Sequence, residues 1–83
     1  MNIFEEVKKA ICKVLPGIDE SKIMLQALLK EDLEIDSLDR VELALALEDL
    51  FNIYLQDEDL AEIRSVADIV STIEYKLRVR ASA

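Results

Sequence analysis

The sequence predicts an all-α fold: a small bundle of three main helices plus one short helix, with a long loop between the first and second helices. Three observations carry this. Apolar residues recur at three- and four-residue spacing in three long stretches. No stretch shows the strict alternation of a half-buried strand, although 52–55 is locally extended in character. The only proline and the only glycine stand together at Pro16-Gly17 and mark one firm break.

The first helix is predicted over about residues 2–15. Ile3, Val7, Ile11 and Val14 recur at helical spacing, and Phe4 and Leu15 widen the stripe. Cys12 falls near the edge of that stripe and reads as a partly buried spectator. Residues 16–36 form a long connection. Its apolar residues Ile18, Ile23, Met24, Leu25, Leu28, Leu29 and Leu33 should pin it to the bundle, and Ser21 to Leu29 could form a short helix. The second helix is expected from Ser37 to Phe51, with Asp36 as N-cap and Asp39 in the first turn, where the macrodipole favours acids. A short helix should follow from Glu58 to Ile63, capped by Asp57. The last helix should start near Ser65, with Ser65 and Asp68 in capping-box spacing. Its buried stripe would be Val66, Ile69, Val70, Ile73 and Leu77, and Lys76, Arg78 and Arg80 suit its C-terminal dipole.

Eighty-three residues without repeats, low-complexity segments or linkers predict one domain, 1–83, with a modest core. A single cysteine excludes an internal disulfide. With no histidine besides, the usual zinc ligand sets are excluded, and no metal is expected. No apolar run approaches the ~20 residues that span a bilayer, and no signal-peptide core is visible. A cytoplasmic, monomeric protein without membrane insertion is expected, with an organelle open if the source is eukaryotic. The net charge of -8 is uneven: residues 31–62 hold twelve acids and one base, Arg40. Nucleic acid is therefore an unsuitable partner. The acidic segment is either an ordinary solvated surface or a field that steers basic partners.

The second helix holds more apolar surface than a small core needs. Leu43, Leu47 and Phe51 make one stripe, with Leu50 beside it. Leu38, Val41 and Leu45 make a second, displaced by more than a third of a turn and expected to be partly exposed. Ser37 lies at its margin, with Glu42, Glu48 and Asp49 around it. A serine, an apolar patch and an acidic rim on one face suit docking. Without histidine the serine has no ordinary base, so it reads as a modified residue rather than a catalytic one. From spacing alone, Asp36-Ser37 could equally be a plain helix cap.

Asp36-Ser37-Leu38, followed by Asp39, Val41-Glu42-Leu43, Ala46-Leu47-Glu48-Asp49 and Phe51, closely resembles the acyl carrier proteins. The resemblance extends more loosely over the whole chain. It implies that Ser37 carries a covalent 4'-phosphopantetheine arm whose thiol holds acyl groups. It implies a non-catalytic carrier of fatty acid, lipid or polyketide-type synthesis, with no catalytic residue of its own. A phosphopantetheinyl transferase would attach the arm. Acyl-transferring, condensing or ligase enzymes with basic docking surfaces would use it. Leu38, Val41 and Leu45 match positions that touch partners. Asp36, Asp39, Glu42 and Glu48 match the acidic recognition positions, and Asp49 falls on the same rim. A cleft between the helices can shelter the acyl chain in this family.

Three departures stand out. Glu34 replaces a familiar glycine, which would permit positive φ cheaply. Arg40 puts a positive charge inside the recognition helix, where it is expected to filter partners. Leu50 stands where an acid is common. Rival readings are a peptidyl or aminoacyl carrier, D-alanyl included, and an unmodified helical interaction module. Asp32, Glu34 and Asp36 have the opening spacing of a calcium loop, but Ser37 and Leu43 stand where that loop needs glycine and glutamate.

Overall fold

The computed structural model describes residues 2–82, and the molecule is helical as expected. Helix α1 spans Ile3–Val14, α2 Ser37–Phe51, α3 Asp57–Glu62 and α4 Val66–Ser82. Among the described residues there is no β-strand, only an isolated antiparallel bridge between Leu28 and Ser65.

Each helix start has a local cause. Asn2 Oδ1 accepts the Glu5 N–H at 3.1 Å and caps α1. Asp36 Oδ1 accepts the Asp39 N–H at 2.8 Å, and the Asp39 carboxylate reaches back toward the Asp36 N–H, closing a capping box with aspartate at both corners. Helix α3 begins one residue earlier than expected. Asp57 is its first residue rather than its cap, and the Asp59 carboxylate accepts the Gln56 N–H at 2.9 Å. The Ser65–Asp68 box forms as its spacing suggested: Ser65 Oγ accepts the Asp68 N–H, and the Asp68 carboxylate accepts from Arg64 and Ser65.

One continuous core joins Val7, Ala10 and Ile11 of α1, Leu43, Ala44, Leu47 and Phe51 of α2, and Val66, Ile69 and Ile73 of α4. Val70 and Leu77 are only partly buried against it. Leu50 is about half exposed, apart from the core stripe it was placed beside.

The long connection departs most from expectation. In place of a helix from Ser21 to Leu29 there is one short 3-10 turn, Glu20–Lys22, capped by Asp19. The backbone beyond it is held by partners distant in sequence. Leu29 N–H donates to the Arg64 carbonyl at 2.9 Å, Val66 N–H to Ala27 at 3.0 Å and Ala67 N–H to Leu25 at 2.8 Å. These bonds draw the backbone away from a helical ladder, and Ile23, Ala27, Leu29, Leu33 and Ile35 are buried in the process. Met24, Leu25 and Leu28 stay exposed.

Two carboxylates couple this architecture to pH. The Arg64 and Ser65 N–H groups hold Asp68 below the usual carboxylate range, and a 2.8 Å ion pair with Lys76 does the same for Asp59. A lowered folded-state pKa adds stability that is complete above the unfolded value of ~3.9 and is lost as the pH falls through the folded value. Asp68→Asn keeps an acceptor but does not titrate there. It is expected to lose less melting temperature than the parent between pH 5 and the acid limit, followed by circular dichroism. Parallel acid profiles for the two proteins would refute the assignment.

Candidate functional site

Ser37 is the first residue of α2 and is exposed. It reaches that position because Asp36 holds extended backbone, ψ -177°, and turns its carboxylate onto the helix start. The cap is therefore the Asp36 side chain and not the Ser37 hydroxyl. The Arg40 N–H goes to the Asp36 carbonyl at 3.0 Å and the Asp39 N–H to the Asp36 carboxylate. The Ser37 and Leu38 N–H groups stand at the positive end of the macrodipole, a setting that favours an attached anion.

The face beside Ser37 is apolar and open. Leu38 is 69% exposed, Val41 53% and Leu45 57%, whereas Leu43 and Leu47 are 4% and 2% exposed. The second apolar stripe is thus a surface feature and the first is core. Glu42 and Asp49 are exposed on the same helix, and Asp36 is exposed at its start. Asp39 is half-buried within the capping box. Glu48 is half-buried too. Its carboxylate accepts the Leu55 N–H at 2.8 Å and holds the chain that leaves α2.

Arg40 has a different setting from the one expected of a partner filter. Its Nη2 donates to the Leu60 carbonyl at 2.8 Å and the Ile63 carbonyl at 2.6 Å, both at the C-terminal end of α3. The guanidinium faces another helix of the same chain, not the open face, and occupies the negative end of that helix. A sequence signal for this exists. Arg40 precedes Leu43, Ala44 and Leu47 by three, four and seven residues, so it continues the buried stripe. A cation on a core stripe needs internal acceptors, and backbone carbonyls at a helix end supply them, that of Leu60 while also accepting the Ile63 N–H. Arg80 behaves alike at the other end, donating to the carbonyls of Phe51 and Asn52 where α2 stops.

Glu34 shows what the missing glycine would have done. It sits at φ 55°, in the left-handed region. That conformation costs a side-chain-bearing residue ~1–2 kcal/mol, while glycine costs ~0.5–1 kcal/mol more backbone entropy on folding. The balance favours glycine. Glu34→Gly is expected to raise stability by up to ~1 kcal/mol in urea denaturation. A lower denaturation midpoint would show that the exposed Glu34 side chain contributes more than its backbone costs.

Other acids of this region are engaged locally. The Asp32 carboxylate accepts the Leu28 N–H at 2.7 Å, four residues back, while Asp36 serves the helix cap. Among the described residues no three of histidine, cysteine, aspartate and glutamate are grouped to hold a metal ion. Cys12 is half-buried on α1, and burial, with Glu20 nearby, raises its thiol pKa. No helix of the described residues is long and apolar enough to cross a membrane.

An exposed serine thus opens the second helix of a four-helix fold, beside an open apolar face. The pattern of the phosphopantetheine attachment site family matches residues 5–73. The chain is 47% identical over 75 residues to the acyl carrier protein of Thermotoga maritima, covering 90% of this chain and 91% of that protein. The chain belongs to the acyl carrier protein family, and its cofactor is 4'-phosphopantetheine.

Proposed function

We propose that Ser37 is the residue that carries the 4'-phosphopantetheine arm, and that the chain is a non-catalytic carrier of acyl groups. The observation that carries this is the exposed hydroxyl at the first position of α2, inside Asp36-Ser37-Leu38. When attached, the arm supplies a thiol that holds an acyl group as a thioester. The protein's part is presentation. A phosphodiester on Ser37 gains ~0.3–1 kcal/mol from the helix N-terminus. The neighbouring, exposed Asp36 carboxylate opposes it. The covalent bond tethers the arm, which suits delivery between enzymes.

Partner enzymes would meet the face of Leu38, Val41 and Leu45, with Asp36, Glu42 and Asp49 as its exposed acids. Asp39 and Glu48 shape the two ends of this face from within, through the bonds described above. A phosphopantetheinyl transferase and acyl-transferring, condensing or ligase enzymes with basic docking surfaces fit it. Work as a monomer in the cytoplasm, in fatty acid or related lipid synthesis, is the setting this reading implies. The test is direct. Incubation with a transferase and coenzyme A should add the mass of one arm, and fragment mass spectra should place it on Ser37. An arm mapped to any other residue would overturn the assignment.

A further inference from the structure

A narrow apolar cavity of about 20 Å³ lies between α2, α3 and α4, lined by Leu43, Leu47, Leu60, Ile63 and Ile69, with Arg40 among its walls. It has room for little more than one water-sized group. Arg40 also lines a separate hollow on the outer side, with Leu28 and Arg64. Its side chain therefore stands between the interior and the surface.

The walls of the cavity are not equally fixed. Helices α2 and α4 contribute fully buried residues to the core. Helix α3 buries none of its six residues, and a helix that short has little stability of its own. Its described polar attachments to the other helices are few. Arg40 holds the Leu60 and Ile63 carbonyls from α2, and Lys76 pairs with Asp59 from α4. Just past α3, Arg64, Val66 and Ala67 are bonded to the long connection and form a fixed end. Enlarging the cavity is easiest by moving α3, and that requires Arg40 to let go.

We propose that Arg40 is a latch that ties α3 over the apolar cavity and thereby limits how readily an acyl chain on the arm can withdraw between α2 and α3. This rests on the carrier reading of Ser37. With the latch shut, a long acyl chain stays at the surface, exposed to solvent and to partner enzymes. With the latch removed, the closed state loses its main polar tie and the population shifts toward open forms that accept the chain. Arg40 acts on the cargo through α3, so it is a positioning residue.

The experiment compares the parent with Arg40→Met, which keeps an unbranched stem but no donor, and Arg40→Lys, which keeps one donor group. Hydrogen exchange of the apo proteins is read first. Amides of residues 60–63 are expected to exchange about tenfold faster or more in Arg40→Met, with Arg40→Lys between it and the parent and α1 unchanged. Then each protein is loaded with an acetyl or an octanoyl arm, and thioester cleavage by hydroxylamine is timed. The octanoyl thioester should be cleaved about threefold more slowly in Arg40→Met than in the parent, while the acetyl thioester is cleaved equally in both. A merely structural arginine would speed exchange without changing the octanoyl-to-acetyl ratio, and that result overturns the proposal. Equal exchange in residues 60–63 overturns it as well. If Arg40→Met does not fold, the same two comparisons are decided on Arg40→Lys. Failure to load Ser37 would sink the carrier reading and the cargo role with it. The exchange of the apo proteins would then still decide whether Arg40 holds α3.

Discussion

Ser37→Ala is expected to fold like the parent and to accept no phosphopantetheine arm. The two halves of this result have separate causes. Stability is preserved because the N-cap hydrogen bond comes from Asp36, the serine is exposed, and alanine is the best helix former. A shift within ~0.5 kcal/mol is the expectation for such a surface change. Loading is abolished because the phosphodiester needs the hydroxyl oxygen. Asp36→Ala makes the complementary variant. It keeps the hydroxyl but loses the cap, at a cost of ~0.5–2 kcal/mol. Intact mass after incubation with a transferase and coenzyme A, beside urea denaturation, reads both. Persistent labelling of Ser37→Ala would refute the site. A large loss of stability in that variant would show that the hydroxyl helps to hold the helix start.

Leu47→Ala and Val41→Ala should separate by several kcal/mol, although both truncate apolar residues on one helix. Leu47 is 2% exposed, lies in the centre of the core stripe and borders the apolar cavity. Truncation there removes buried surface and enlarges a void that already exists, which costs roughly 2–5 kcal/mol. Val41 is 53% exposed, so its truncation should move stability by no more than ~0.5 kcal/mol. Its effect should appear instead as weaker binding to partner enzymes. Equal destabilisation by the two changes would dissolve the distinction between core stripe and docking stripe.

The contrast between these leucine and valine positions was legible in the sequence, and the reason is local. Helical periodicity places Leu43 and Leu47 on one side and Val41 and Leu45 on another, whatever the rest of the chain does. The same holds for Asp36 and for the Ser65–Asp68 box, whose partners lie three or four residues apart. Glu34 stands where the family has a glycine, and its positive φ agrees with the glycine it replaces. Contacts between distant parts of the chain were not legible. Arg40 reaches carbonyls twenty and twenty-three residues on, and Glu48 turns inward to an N–H seven residues on. The helical wheel and the family resemblance put Glu48 on the partner face, and its place in the recognition helix put Arg40 there. Residues 16–36 were hardest, because bonds from Arg64, Val66 and Ala67 set their path and override the helical tendency of 21–29.

Those bonds also bear on the order in which the chain assembles. Leu25, Ala27 and Leu29 find their backbone partners 42, 39 and 35 residues further along, so the loop-closure entropy must be met before these contacts form. Helices α1, α2 and α4 can each begin from contacts within themselves. The strap formed by 25–29 takes its backbone partners from residue 64 and the first turn of α4, so it closes only once that turn is in place. Partial unwinding at Val66 would therefore loosen a segment that leads directly into Asp36 and Ser37, far from it in sequence. The order of the serine's approach is on loan from the start of the last helix.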